Sequence, residues 1–195
     1  NALITHTMEL LVPSLQVDNI AVHLHLATSL PPLWADPHQL QQVVVNLMTN
    51  AWQALRDATT PRQLTLSTQY DPSRTRITFE VVDTGPGIPL ALQGRIFEPF
   101  FTTKPPGKGT GLGLYNIKHV IHQMHGTIAV TSEVGIGSTF TIVPETKQAV
   151  EQAVTVAILH RRPVHDGGPG EAVEAGDAVD VHAGRDHLAG RVGGQ

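Results

Sequence analysis

The stretch DPHQLQQVVVNLMTNAWQAL, residues 36–55, predicts a long amphipathic helix. Asp36 followed by Pro37 is typical of a helix start, because an acidic side chain accepts the first free N–H groups and proline suits the first helical position. Apolar residues then recur at helical spacing, which indicates a face that packs against a core: Leu40, Val43, Val44, Leu47, Ala51 and Leu55. We expect this helix to run to about Ala58.

Asn46 and Asn50 lie one helical turn apart, so their side chains share a second face that the apolar stripe leaves free. Asparagine has a mediocre propensity for helix interiors, and two of them there need a reason. A solvated helix face is the ordinary interpretation of the pair, and a polar binding site is the alternative.

Alternating apolar residues predict strands before and after this helix, at 20–26, 64–70, 77–81, 127–131 and 139–143. Turn residues at 71–74 join the second and third strands into a hairpin. Residues 1–12 look like the end of a helix that Pro13 terminates, and apolar residues from Leu114 to Met124 predict another helix. This order predicts an α+β fold, a two-layer α/β sandwich whose mixed, mostly antiparallel sheet has helices on one face.

The third strand leads directly into Asp83-Thr84-Gly85-Pro86-Gly87-Ile88. Glycines at 85 and 87 let the backbone turn sharply and approach a ligand beside one fixed carboxylate. A plain tight loop is the simpler interpretation of the same residues.

A second glycine-rich stretch, TTKPPGKGTGLG at residues 102–113, predicts a mobile, cationic loop that ends at a helix N-terminus. Free N–H groups and the positive end of the helix dipole make such a terminus suitable for phosphate. The spacing also matches the dinucleotide fingerprint of a Rossmann unit. That fingerprint requires a preceding strand, whereas a proline-rich loop precedes Gly107, so we reject it.

The composition indicates a folded part followed by an unusual tail. A formal net charge of -4 does not favour a protein that coats nucleic acid, and the absence of cysteine excludes disulfides and thiolate metal sites. No run approaches the roughly 18 apolar residues that a bilayer span needs. Every aromatic residue lies at or before Phe140. We therefore expect a low-complexity, disordered tail over 147–195, in which 147–160 could form a helix.

Taken together, these residues resemble the ATP-binding catalytic domain of sensor histidine kinases, within the superfamily that includes DNA gyrase, Hsp90 and MutL. The resemblance covers residues 18–143 and rests on five motifs in order. They are an N box at 46–54, a first glycine box at 83–88, a phenylalanine box at 97–100, a second glycine box at 109–114 and a third at 135–140. Each motif alone is modest evidence for the family, whereas five motifs in this order are strong evidence.

The resemblance implies a role for each end of a bound nucleotide. Asn50 would give a side-chain oxygen to Mg²⁺, a hard cation that keeps water and phosphate oxygens as its other ligands, and Asn46 would support that end. Asp83 would accept a hydrogen bond from the adenine amino group of ATP, where guanine presents a carbonyl. Ser138 or Thr139 would complete the contact to the base.

Further residues follow from the same resemblance. Gly85 and Gly87 would let the backbone approach the base, with Ile88 as an apolar wall. The loop at 102–113 would be the lid of the site, and one of its lysines, Lys104 or Lys108, would meet the phosphates. The implied catalytic residues are Asn46, Asn50 and Lys104, and the remaining implied nucleotide contacts are Ala54, Phe97, Thr102, Thr103, Gly109, Thr110, Gly111, Leu112, Gly113 and Leu114.

The implied activity is that of a kinase, which binds Mg-ATP and transfers the γ-phosphate to a histidine on a separate dimerisation domain. From there the phosphate passes to a response regulator receiver domain. ATP-hydrolysing members of the superfamily have a glutamate base where this chain has Asn46, and an amide is a poor base, so a kinase is favoured over an ATPase. A nucleotide-binding or partner-binding module without phosphotransfer is the alternative.

The acceptor histidine is expected upstream of this chain. The family's acceptor is followed by an acidic residue and then a proline, whereas His6 is followed by Thr7. We therefore expect residues 1–15 to end the dimerisation domain, 16–146 to form the catalytic domain and 147–195 to form the tail. The resemblance also implies a cytoplasmic location, with membrane contact only through segments outside this chain. From the net charge of -4 we expect no nucleic-acid partner.

Overall fold

The computed structural model describes residues 1–33, 35–56, 58–59, 61–105, 107 and 109–145. Its elements in chain order are α1 Ala2–Val17, β1 Ala21–Leu26, α2 Pro37–Arg56, β2 Gln63–Asp71, β3 Arg76–Asp83, α3 Leu90–Gln93, α4 Gly113–Gln123, β4 Thr127–Glu133 and β5 Gly137–Val143. Lys108 and the predicted tail at 147–195, with its helix at 147–160, lie outside the described residues.

The five strands form one sheet in the order β1-β2-β3-β5-β4. β1 runs parallel to β2, and the other three strand pairs are antiparallel. Side chains on one face line up across the sheet, as in the row Leu66, Val81, Phe140 and Val130. The predicted mixed, mostly antiparallel sheet is confirmed.

The helices cover that apolar face. α2 buries Val43, Val44, Leu47, Met48, Ala51 and Leu55, and α4 buries Ile117 and Ile121 in the same hydrophobic cluster as the inward residues of β2, β3 and β5. The predicted stripe of α2 is confirmed except that Leu40 is only half-buried and Met48 is fully buried. The Asp36 cap is also confirmed, since Oδ1 of Asp36 accepts the His38 N–H at 2.8 Å.

The prediction that Pro13 ends the first helix is wrong. α1 continues through Pro13 to Val17, and the Asp18 N–H donates to the Ser14 carbonyl at 3.3 Å. Proline removes one backbone hydrogen bond from a helix interior. The turn beyond it is stabilised instead by Leu15, which is 1% exposed in the core. Burial therefore outweighs the local cost of the proline.

Both ends of α1 are attached to the rest of the fold. At its start, the Asn1 side chain donates to the Ala27 carbonyl at 2.6 Å and accepts from the Thr68 hydroxyl at 2.9 Å. At its end, Trp52 Nε1 donates to the Asp18 carboxylate at 2.6 Å. α1 thus shares the core of the sheet, and the assignment of residues 1–15 to an upstream domain stays a prediction about a longer protein.

Several element boundaries differ from the predicted ones. α2 ends at Arg56 rather than near Ala58, β4 and β5 extend two residues further towards each other, and the short helix α3 was not predicted. β1 is an edge strand, so Leu24 is 42% exposed despite its apolar alternation. Among the described residues, no helix has both the length and the apolar character that a membrane span requires.

Candidate nucleotide-binding site

Asp83 is the last residue of β3 and, within the part of the chain that the structure describes, the single charged residue that is buried, at 4% exposure. It pairs with Leu64 of β2 on one side and with Ser138 of β5 on the other. The Gly85 N–H donates to its Oδ1 at 2.9 Å. The sheet therefore fixes this carboxylate on the face that α2 covers.

Burial raises the pKa of Asp83 above its ordinary value, and hydrogen bonds from the backbone N–H groups of Gly85 and Ser138 partly oppose that rise. A buried carboxylate is costly because it has lost solvent. A donor group of a ligand would compensate part of that loss. The environment of Asp83 is thus suited to recognise an N–H donor.

The loop after Asp83 lies close to two other elements. An ideal Cβ at Gly85 would stand 3.1 Å from the Ala54 Cβ of α2, so the main chain passes directly against that helix. Gly87 has a φ of +72°, and a Cβ there would meet the Glu133 carbonyl at 2.1 Å. The Ile88 N–H donates to Ser132 Oγ at 2.7 Å. Close approach to protein groups therefore requires glycine at 85 and 87, and the expected approach of this backbone to a ligand stays a prediction.

The register of β5 distinguishes Ser138 from Thr139. Ser138 pairs with Asp83, is 7% exposed and therefore faces the helices. Thr139 pairs with Val82 and with Thr131, which places it on the opposite face of the sheet. Of the two residues that the sequence left open, only Ser138 shares a face with Asp83. Its Oγ lies 3.0 Å from that of Ser132, a residue that sequence reasoning missed.

The two asparagines of α2 lie at the other end of the site. Asn50 is half-buried, and its Nδ2 is 3.9 Å from the Cβ position at Gly113, the first residue of α4. The first turn of α4 has no side-chain cap. Free N–H groups at such a terminus favour an anion. Asn46 accepts a hydrogen bond from Gln42 Nε2 at 3.1 Å.

The lid loop between α3 and α4 folds back on itself. A Cβ at Gly111, where φ is +66°, would lie 2.3 Å from the Phe100 carbonyl carbon, and one at Gly109 would lie 2.6 Å from Thr102 Oγ1. Lys104 Nζ donates a hydrogen bond to Oε1 of Gln53 on α2. The structure thus brings Lys104 to α2, whereas the other predicted lysine, Lys108, is outside the described residues.

Some of the remaining predicted nucleotide contacts lie against the core, and others lie at the surface. Ile88, Phe97 and Leu114 are half-buried and pack against the core, and the Lys118 ammonium lies 5.7 Å from the Phe97 ring centre. Thr103 and Thr110 are exposed, and Thr110 Oγ1 accepts the Leu112 N–H at 3.4 Å. The structure gathers Asn50, Ala54, Asp83, Gly85, Gly113 and Ser138 around α2, and it leaves the threonines of the lid at the surface.

A family model described as histidine kinase-, DNA gyrase B-, and HSP90-like ATPase matches residues 35–148. The chain belongs to this family. The matched range contains α2, the Asp83 loop, the lid and the β4–β5 hairpin, so it includes every residue placed above around α2.

Relatives and solved structures that are named histidine kinases or sensor kinases agree with this family assignment. The sensor kinase CckA of Brucella abortus (strain 2308) is 40% identical over 148 residues, which cover 69% of this chain and 15% of CckA. The catalytic domain of the histidine kinase ThkA is 28% identical with a TM-score of 0.65, covering 75% of this chain and 91% of that domain. Full-length ShkA in complex with AMPPNP is 29% identical with a TM-score of 0.64, covering 73% of this chain and 29% of ShkA. This chain therefore spans a small part of CckA and ShkA and nearly all of the ThkA catalytic domain.

Two contacts of this ATPase domain were missed by sequence reasoning. Ser132 occupies an inward position of β4, in alternation with Ile128 and Val130, and this alternation was its only signal. Gln53 stands inside the N box, and nothing in its spacing indicates that a lid residue reaches it.

Proposed function

We propose that this chain binds Mg-ATP and transfers the γ-phosphate to a histidine on a separate dimerisation domain. The observation that carries the proposal is the buried Asp83 carboxylate, fixed between β2 and β5 beside Ser138. The adenine amino group is the donor that would satisfy this carboxylate. Guanine presents a carbonyl at that position, so GTP would place an acceptor against an acceptor.

The opposite end of the site is suited to phosphates and a metal ion. Asn50 offers an amide oxygen, the kind of hard ligand that Mg²⁺ accepts, next to the uncapped N-terminus of α4. When bound, Mg²⁺ would neutralise phosphate charge during transfer. The chain's own contributions there are the Asn50 amide oxygen, which would bind the metal ion, and the backbone N–H groups from Gly111 to Leu114 with the Lys104 ammonium, which would hold phosphate oxygens in position.

Asn46 favours phosphotransfer over hydrolysis. It lies one turn before Asn50, and its amide oxygen accepts a hydrogen bond from Gln42. An amide has no basic group that could take a proton from water. We therefore expect slow hydrolysis in the absence of an acceptor. A histidine supplied on a dimerisation domain would itself be the nucleophile and would not need this base.

The proposed partners follow from the family and from the span of the chain. The relatives are sensor kinases of which this chain covers a small part, so the phosphorylated histidine is expected on a segment of the longer protein. The phosphate would then pass to a response regulator receiver domain. We propose a cytoplasmic location for this activity, because ATP and the response regulator are available there.

Calorimetry of Mg-ATP binding tests the nucleotide part of the proposal. Asp83→Asn presents an N–H to the adenine amino group, so we expect it to weaken binding on the order of 100-fold. Asp71→Asn is the matched control, because Asp71 lies at the other end of the β2–β3 hairpin and should bind ATP as the unmodified chain does. Equal affinities of both variants would overturn the adenine assignment.

Transfer is tested by adding a purified dimerisation domain from a related kinase and ATP labelled in its γ-phosphate. We expect a labelled histidine with the unmodified chain and none with Asn50→Ala. ATP binding without any labelled histidine would instead support the alternative, a nucleotide-binding module without phosphotransfer. Steady phosphate release without an acceptor would support the ATPase interpretation.

A further inference from the structure

Gln53 holds the lid against α2 through a contact that the nucleotide roles proposed above do not require. Lys104 Nζ donates a hydrogen bond to Oε1 of Gln53, which lies three residues after Asn50 on α2. Residues three apart on a helix are neighbours on its surface. We propose that Gln53 is a positioning residue, which holds Lys104 over the phosphate end of the site. The effect of Gln53 on nucleotide affinity rests on the proposed function.

The exposed Lys104 side chain is held at more points than its ammonium group alone. The Lys104 backbone N–H donates to Thr102 Oγ1 at 3.1 Å. A Cβ at Gly109 would lie 3.2 Å from both Cβ and Cδ of Lys104, so the absence of a side chain there lets the loop backbone at Gly109 lie against the lysine stem. Lysine loses much rotamer freedom when it is immobilised. A stem that is already packed reduces the entropy that phosphate binding would otherwise cost.

The chemistry of glutamine suits this task. Its amide oxygen is a neutral acceptor, so the ammonium group keeps its full positive charge while it is held. An ammonium group has three donors, and a bond to Gln53 is compatible with bonds to phosphate oxygens. Glutamate at this position would form an ion pair with Lys104 and would also repel the phosphates. Gln53 therefore orients the lysine without cancelling its attraction for the nucleotide.

Binding of ATP and of adenosine by Gln53→Ala tests the positioning role. We expect the dissociation constant for ATP to rise about three- to tenfold, the size typical of one partly exposed hydrogen bond to a charged group. Adenosine has no phosphate and should bind equally to both proteins. Gln53→Glu should weaken ATP binding further than Gln53→Ala. Gln39→Ala, the same substitution about 20 Å away on the same helix, should change neither affinity.

A double-mutant cycle decides whether Gln53 acts through Lys104. Lys104→Ala should weaken ATP binding, and adding Gln53→Ala to it should cause no further loss. Additive losses, or an equal loss of adenosine affinity in Gln53→Ala, would overturn the inference. So would Gln53→Ala and Gln39→Ala variants with the same ATP affinity.

Hydrogen exchange in the ligand-free protein separates this inference from the proposed function. The Lys104 amide should exchange at least about threefold faster in Gln53→Ala and at an unchanged rate in Gln39→Ala. Unchanged exchange in Gln53→Ala would overturn the inference even if ATP binds. Faster exchange in a chain that binds no ATP would overturn the proposed function and support the contact between Gln53 and Lys104.

Discussion

At Gly85 the main chain leaves no room for a side chain. A Cβ there would lie 2.7 Å from Asp83 Oδ1 and 3.1 Å from the Ala54 Cβ. We expect Gly85→Ala to displace the Asp83 carboxylate and to weaken ATP binding at least about tenfold in calorimetry. Gly94→Ala is the matched control, because a Cβ at Gly94 meets nothing within 4 Å and its φ is -70°. Equal ATP affinities in the two variants would contradict this account of Gly85.

Asp83 and Asp71 should affect stability in opposite directions as pH changes. Burial raises the pKa of Asp83, so ionisation costs the folded state free energy and the contribution of Asp83 to stability falls as pH rises. The hydrogen bond from Ser73 lowers the pKa of Asp71, so its contribution is present at neutral pH and is lost as pH falls.

The measurement for this pair is urea unfolding from about pH 7 to about pH 3, near the ordinary pKa of aspartate. At neutral pH, Asp83→Asn should be as stable as the unmodified chain or more stable, and Asp71→Asn should be less stable. Both differences should shrink towards low pH, as the unmodified aspartates become protonated. An Asp83→Asn variant that is less stable at neutral pH and recovers in acid would refute the sign given for Asp83.

At the scale of single residues, the sequence was enough where a residue's role depends on its neighbours in the chain. Asp83 could be found because it ends a predicted strand and is followed by glycines at 85 and 87, and the structure places it in a buried position. The choice between Ser138 and Thr139 could not be made, since only the pairing of β5 with β3 decides which of them faces the helices. Gln53 was missed because its partner comes from a loop 51 residues away.

At the level of elements, α1 should behave as part of the core. Leu15→Ala should lower the free energy of unfolding by about 2 to 4 kcal/mol, the usual range for a fully buried leucine. Leu10→Ala is the control on the same helix, because Leu10 is 62% exposed, and it should change stability by less than about 0.5 kcal/mol. Denaturant unfolding of both variants measures the difference. Similar small losses would indicate that α1 is not packed as described.

Elements were predicted well where their signal is periodic. The N-terminal cap and apolar stripe of α2 and the alternation of β2 and β3 are properties of neighbouring residues, and the structure has these elements within a few positions. α3 has only four residues, too few for a periodic pattern. The end of α1 was misplaced because a local rule about Pro13 was overridden by the burial of Leu15, which is a tertiary effect.

For the whole molecule, the order of elements was enough to predict a mixed sheet with helices on one face. It was not enough to predict neighbours in that sheet. β1 pairs in parallel with β2, and the chain segment that connects these two strands contains α2. β5 lies between β3 and β4 in the sheet. These placements depend on long-range pairing, which the pattern of a single strand does not specify. The residues of the site are correspondingly distant in sequence, from Asn46 to Ser138.

The position of β5 determines when this site can exist during synthesis. Of the five strands in the described residues, β5 is the last to leave the ribosome, yet it is an interior strand of the sheet and supplies Ser138 next to Asp83. Until it is inserted, β3 and β4 have no common partner and Asp83 remains open to water on one side. A nascent chain that ends before β5 should therefore be unable to hold adenine. ATP would then stabilise finished domains only, so the nucleotide would favour complete chains over truncated ones.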